Sequence, residues 1–143
     1  MVRLMQVINY SSNMKERVFE LLSSIDNLEI DDKIIENCEI LQDNNDIKGI
    51  ISYEKFNEIG LIRYFIFKRN LDLDSLALLY QGLEKNMRDD YVRIVIGIVN
   101  SKTIKDVFEY IGFKESNPSL LYFDETTFTK TNYKDSLIYK KTI

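Results

Sequence analysis

Two predominantly apolar runs limit this chain most: Ile59 to Phe67 (IGLIRYFIF) and Tyr91 to Val99 (YVRIVIGIV). Successive side chains of an extended strand face opposite sides. The first run is apolar on both, with Leu61, Phe65 and Phe67 against Ile62, Tyr64 and Ile66, so its sheet needs cover on both faces. The second run reads the same way. Each is followed by helical periodicity. After Lys68-Arg69-Asn70, the residues Leu76, Leu79, Leu83 and Met87 form one stripe to about Met87, with Asp72 or Asp74 placed to cap the helix. Beyond Val99, Ile104, Val107, Phe108 and Ile111 recur at i, i+3, i+4, i+7, and Gly112 stands just past the helix end.

The remaining segments fit the same α/β class. Arg3 to Ile8 reads as a strand, and Ser11 or Ser12 caps a helix to about Ser24 whose apolar face is Met14, Val18, Leu21 and Leu22. Asp26 to Glu39 is an acidic stretch around Ile34 and Ile35, expected as a short helix or loop with a solvated surface; attraction of a cationic acceptor is the alternative. Asn37 to Gln42, Ile47 to Phe56 and Ile59 to Phe67 are separated by DNND and by Asn57-Glu58, turn residues at hairpin spacing, which predicts an antiparallel meander. Gly82 interrupts its helix at a cost of about 1 kcal/mol relative to alanine, which implies close packing against a neighbour. Leu120 to Phe123 and Leu137 to Ile143 complete the strands. A length of 143 residues with one proline and no linker-like segment predicts a single domain over 1–143.

Composition narrows the chemistry. A net charge of −4 argues against a nucleic-acid backbone or an anionic membrane as partner. No apolar stretch approaches the roughly 18 residues of a bilayer span, and the N-terminal segment lacks the pattern of a secretory signal, so a cytoplasmic location is expected. With no histidine, Ser-His-Asp and Cys-His nucleophilic schemes, His-ligated zinc and imidazole acid/base steps are all excluded. No metal site is expected. Cys38 is the only cysteine and reads as a small buried apolar residue.

The segment VIGIVNSKTIKDVFEYIGFKES has a strand leaving an Asn, an amphipathic helix, and a Gly-Phe pair followed by a polar residue. Together with the order β-α-α-β-β-β-α-β-α-β-β it resembles the Gcn5-related N-acetyltransferase (GNAT) superfamily, over almost the whole chain. That resemblance implies an α+β fold with a mixed, mostly antiparallel sheet of about seven strands and about four helices. It also implies an N-acyltransferase that moves an acetyl or acyl group from acetyl-CoA or another acyl-CoA to a small-molecule or peptide amine. In such proteins the strand before the longer helix offers its backbone to the pantetheine arm, here Phe65, Ile66 and Phe67. The following loop, Arg/Gln-x-x-Gly-x-Gly/Ala, holds the pyrophosphate, here Arg69, Asn70, Leu71, Asp72, Leu73 and Asp74. Asn100 and Phe108 are the further cofactor positions the resemblance marks. A homodimer through the final strand, at Leu137-Ile138-Tyr139, is implied on the same ground.

Aspartates occupy both glycine positions of that loop. Each can cap the helix with its own carboxylate, and each repels phosphate, by about 3 kcal/mol per unit pair at an effective dielectric near 20 and a separation near 6 Å. Counting back from Gly112-Phe113 puts the superfamily's tyrosine position on Phe108 and its Asn position on Ser101; a slip of one residue puts them on Val107 and Asn100. Neither register supplies a hydroxyl at the tyrosine position for the departing thiolate. Tyr110 lies about 200° around the helix from Phe108. Glu54 and Glu58 are the carboxylate candidates for a base acting through water, each with a solvated turn or edge role as the alternative. Three readings follow: an N-acyltransferase with a weakened cofactor loop, a non-catalytic module of the same fold that binds another ligand or a protein, and an α/β domain unrelated to it. The last would be supported by Ile59–Phe67 and Tyr91–Val99 pairing along their whole length.

Overall fold

A computed structural model of the chain describes residues 5–25, 30–117, 122–123, 126–127 and 137–143. In chain order the elements are β1 (Met5–Asn9), a 3-10 turn (Ser12–Met14), α1 (Lys15–Ser23), α2 (Asp32–Ile35), β2 (Glu39–Asp43), β3 (Asp46–Ile51), β4 (Tyr53–Phe56), β5 (Ile59–Ile62) and β6 (Ile66–Phe67). They continue as α3 (Leu73–Asp89), β7 (Ile94–Val99), α4 (Lys102–Tyr110), β8 (Lys114–Ser116), β9 (Tyr122–Phe123), β10 (Thr126–Thr127) and β11 (Leu137–Thr142). The expected strand start at Arg3 and Leu4, the acidic residues Asp26 and Glu29, and the start of the strand expected at Leu120 lie outside the described residues. Contacts gather into two compact units, Met1–Tyr53 with Arg63–Leu83 and Glu54–Ile62 with Glu84–Ile143.

The first unit is built on an antiparallel sheet in the order β1-β2-β3-β6. The expected hairpin at DNND is present: Asn44 and Asn45 have φ of 50° and 70°, the left-handed pair that a tight two-residue turn requires. A bulge between Leu41 and Gln42 shifts the β2–β3 register. One face of this sheet carries Ile8, Ile40, Ile50 and Ile66, packed with Val18 and Leu22 of α1 and with Ile34 and Ile35 of α2. Cys38 is buried in the same cluster. The opposite face receives α3. Gly49 of β3 lets it approach, since a Cβ there would lie 3.4 Å from Leu79 and 3.2 Å from the Phe67 Cβ. Gly82 does the same from the helix side, where a Cβ would lie 2.7 Å from Val7 and 2.8 Å from the Glu39 carboxylate. The close approach implied by a mid-helix glycine is therefore real.

The second unit is a sheet in the order β4-β5-β7-β11-β8. β5 and β7 are parallel over the pairs Ile59↔Ile94, Gly60↔Val95 and Leu61↔Ile96. Beyond Ile96, the residues Gly97, Ile98 and Val99 pair with β11. α4 lies on β7 with Phe108 over Gly97, whose absent side chain would stand 2.5 Å from the ring. Gly112, at φ 100°, closes α4: Phe113 N–H donates to the Phe108 carbonyl at 2.9 Å and Gly112 N–H to that of Glu109 at 3.2 Å, the bonds of a left-handed helix stop.

Two expectations need correction. The run Ile59–Phe67 is two strands, β5 and β6, interrupted at Arg63–Phe65, and its partner Ile47–Phe56 is likewise divided at Ser52. The interruptions face each other, with Arg63 N–H donating to the Ser52 carbonyl at 2.8 Å. Leu137-Ile138-Tyr139 does not form an open edge either. β11 is flanked on both sides, by β7 and by β8, and Ile138 and Tyr139 are buried, so that segment is consumed by the unit's own sheet.

Candidate active site

The cofactor-loop candidates lie together in the first unit. β6 is held to β3 by the pairs Gly49↔Phe67 and Ile50↔Ile66, and Lys68 N–H extends the ladder by donating to the Lys48 carbonyl at 2.8 Å. The chain then turns. Asn70 takes φ of 76°, a left-handed conformation that asparagine tolerates better than most residues. Leu71 is half-buried and anchors the turn, and Leu73 begins α3.

Asp72 caps the helix: its Oδ1 accepts from Ser75 N–H at 2.8 Å, and its carbonyl accepts from Leu76 N–H at 3.2 Å. This is the role expected from its position. Asp74 sits in the first turn and is exposed, as are Lys68, Arg69 and Asn70. The junction thus combines the positive end of a helix dipole with two carboxylates of the chain's own. Lys68 lies 3.5 Å from Asp46, which draws that cation toward β3.

Phe65, Ile66 and Phe67 are half-buried. Phe65 and Phe67 meet edge to face with ring centroids 5.2 Å apart, a favourable aromatic geometry. Tyr64, just before them, is buried, and its hydroxyl oxygen accepts from Asp31 N–H at 2.7 Å. That bond ties the strand interruption to the cap of α2 across 33 positions; no periodicity in the sequence signals it.

The other candidates belong to the second unit. Asn100 is exposed at the carboxyl end of β7, and Ser101 caps α4 by accepting from Ile104 N–H at 3.3 Å. Phe108 is 1% exposed, resting on Gly97 and stacked on Phe113 at 4.9 Å. Val107 is equally buried. Both registers counted from Gly112-Phe113 therefore end in the core, and Phe108 has a packing role in place of the cofactor contact expected of it. Tyr110 is 48% exposed on the outer side of α4.

Glu54 is half-buried on β4. Glu58 is exposed in the turn that Asn57 makes at φ of 56°. Its carbonyl accepts from Arg93 N–H at 2.8 Å and from Ile94 N–H at 3.2 Å, so it stands where the parallel strands β5 and β7 begin. Ligands of parallel sheets collect at the opposite, carboxyl ends.

Two further groups are set aside by their surroundings. Burial pushes the Cys38 thiol up to about 12, which leaves it unreactive as a nucleophile. Tyr139 is likewise pushed up to about 12, by desolvation first and then by its hydrogen bond to Glu109 at 2.9 Å. Its proton is held too tightly for acid catalysis near neutral pH. Among the described residues no group of three or more His, Cys, Asp or Glu could hold a metal ion, and no helix is long and apolar enough to cross a membrane.

No protein-family model matches the chain, and no curated protein matches it. Solved structures do. A GNAT-family acetyltransferase from Staphylococcus aureus Mu50 aligns with a TM-score of 0.73 at 16% identity, over 97% of this chain and 99% of that one. N-acetylglutamate synthase from Neisseria gonorrhoeae, solved with coenzyme A and N-acetyl-glutamate, aligns with a TM-score of 0.76 at 15% identity. This chain has the GNAT fold. A Mycobacterium tuberculosis protein solved with CoA also aligns, with a TM-score of 0.75 at 11% identity over 96% of this chain and 99% of that one. The alignment to the Neisseria synthase covers 97% of this chain and 35% of that one, so the chain spans about a third of the synthase's length. The reading as an α/β domain unrelated to the GNAT fold is overturned by these likenesses. Full-length pairing of the two apolar runs, which would have supported it, is not seen: the parallel ladder ends at Leu61↔Ile96.

Proposed function

We propose that the chain is an N-acyltransferase that binds acyl-CoA, with the diphosphate at the β6–α3 junction, and acylates an amine. The observation that carries this reading is the junction itself. A tight turn through Asn70 delivers the chain from β6 into the N-terminus of a helix 17 residues long, and such an end attracts phosphate through its dipole and backbone amides.

In this reading the turn receives the diphosphate, and Arg69 supplies a charge suited to pairing with it. The side chains of Asp72 and Asp74 reduce the affinity without closing the turn. When bound, acyl-CoA supplies a thioester activated toward attack by a neutral amine. Phe65 to Phe67 offer backbone to the pantetheine arm and Arg69 pairs with a phosphate. The amine proton passes to water. Positioning carries most of such a reaction, so the lack of a tyrosine at position 108 lowers the rate without forbidding it.

A second reading, a non-catalytic module of the same fold, is favoured by one pair of observations: the Asp72 carboxylate already takes the Ser75 amide, and Phe108 is buried over Gly97. Titration calorimetry with acetyl-CoA separates the two. Saturable binding, followed by thiol release in the presence of an amine panel, supports the enzyme. Absence of binding at millimolar cofactor refutes it and leaves the module.

A further inference from the structure

Within the first unit, a cavity of about 320 Å³ opens between α1 and the β2–β3 turn. Its wall on α1 is the stripe Arg17, Glu20, Leu21 and Ser24, and its opposite wall is Asn45, Asp46, Ile47 and Lys68. Two of these charges are already engaged. Asp46 lies 2.8 Å from Lys48 and 3.5 Å from Lys68, and the Lys48 hydrogen bond, with both lysine charges adding, holds its carboxyl below the usual range.

The other two are not engaged with each other. Arg17 and Glu20 stand three positions apart on one helix, a spacing at which such residues pair readily. The guanidinium instead donates to the Asn45 carbonyl at 2.9 Å. The Asn44-Asn45 turn fixes that carbonyl, because both residues are held in the left-handed region. Among the described residues neither side chain has a salt-bridge partner. The cavity therefore presents a held cation and a separate anion from neighbouring turns of one helix. Leu21 and buried Ile47 supply the apolar surface between the walls.

We propose that this cavity binds a zwitterionic α-amino acid with an aliphatic side chain. Its carboxylate meets Arg17, its ammonium meets Glu20, and its side chain lies on Leu21 and Ile47. The charges lining the cavity, Arg17 and Lys68 against Glu20 and Asp46, sum to zero. A simple anion or cation would meet as much repulsion as attraction there, whereas a molecule carrying both signs satisfies both Arg17 and Glu20. A guanidinium is also the better of the two cations for a carboxylate, since it can bind both oxygens at once. This inference does not rest on acyl transfer, and its failure would leave the proposed enzyme untouched.

Amide proton–nitrogen NMR of the full chain, titrated with L-leucine, tests it. Saturable shifts in the millimolar range are expected at Arg17, Leu21, Asn45 and Ile47, and Arg17→Ala and Glu20→Gln should each weaken binding by about tenfold. N-acetyl-L-leucine, without the ammonium, and L-leucinamide, without the carboxylate, should each bind about tenfold more weakly than leucine. Both substituted residues are exposed, so the variants are expected to fold, and their spectra report this directly. No saturation with leucine overturns the proposal. So does N-acetyl-leucine binding as well as leucine, which would make the cavity a plain anion site.

Discussion

If Asp72 and Asp74 flank the diphosphate, removing their charge should raise CoA affinity and lower stability at the same time. Asp72→Asn with Asp74→Asn is the informative variant, because asparagine is as good an N-cap as aspartate and can keep the bond from Ser75 N–H, now 2.8 Å to Oδ1. Replacement by glycine would remove that bond and confuse the two effects. At a separation near 6 Å, one phosphate charge and one carboxylate repel by about 3 kcal/mol at an effective dielectric of 20 and about 0.7 kcal/mol at that of water. Both aspartates are exposed, which places the working value near the lower bound, about 1 kcal/mol each. Together they predict an affinity gain of about 30-fold. The gain should shrink as salt rises, since the screening length falls from about 30 Å at 0.01 M to about 8 Å at 0.15 M.

Stability should move the other way. Each carboxylate near the helix N-terminus contributes about 0.3–1 kcal/mol through the dipole. A combined loss near 1 kcal/mol lowers Tm by about 2–4 °C for a domain of this size. Calorimetric titration with CoA at low and moderate salt, alongside thermal denaturation, measures both. A Tm that falls as stated while CoA affinity stays flat at low salt would show that the charges act on the helix and not on the ligand. The placement of the diphosphate at this junction would then be wrong.

Three other outcomes follow from the packing. Gly97→Ala should destabilise by about 1–3 kcal/mol, because its Cβ would stand 2.5 Å from the Phe108 ring; chemical denaturation should find a smaller penalty when Phe108→Leu is already present. Tyr91→Gly should stabilise by about 0.5–1 kcal/mol, since Tyr91 ends α3 at φ 64° with 80% of its surface exposed and glycine takes that conformation without strain. The Tyr139 hydroxyl should make stability fall above pH 10. Its folded pKa is raised to about 12 from an ordinary 10.0, so the stabilisation is complete below the unfolded value and is lost as pH rises between the two. Tyr139→Phe should flatten that decline in denaturation curves recorded across the window.

What was readable in the sequence was periodic or local. The stripe Leu76, Leu79, Leu83 and Met87 is the buried face of α3, Asp72 caps that helix, and Gly112 ends α4, because each of these depends on residues within a turn or two of one another. Gly82 was informative for the same reason: a costly residue inside a good helix implies a close neighbour. The identity of that neighbour was not readable. Glu39 is 3% exposed beneath α3, and nothing about an acidic residue in an acidic stretch announces burial. Strand β8 escaped because Lys114-Glu115-Ser116 is polar; it forms because β11 offers it backbone bonds. Among the site candidates, Phe65 to Phe67 and Arg69 to Asp74 adjoin one another in the chain, so local pattern alone places them at one strand-to-helix junction. The burial of Phe108 is not legible locally, because it depends on Gly97, a partner eleven positions away that only the fold brings beneath its ring.

The division of Ile59–Phe67 has the same origin and bears most on function. Period-2 alternation decides which face a residue occupies, but a run apolar on both faces satisfies any pairing partner equally. Ile59 to Leu61 pair with β7, and Ile66 and Phe67 pair with β3. Both halves are apolar, so their apolar side chains do not reveal where the partner changes. Backbone bonding decides it, at Arg63 and Ser52. The one polar residue in the run, Arg63, sits at the interruption, and a charged side chain inside an otherwise apolar strand was the available sign that the strand does not continue through it.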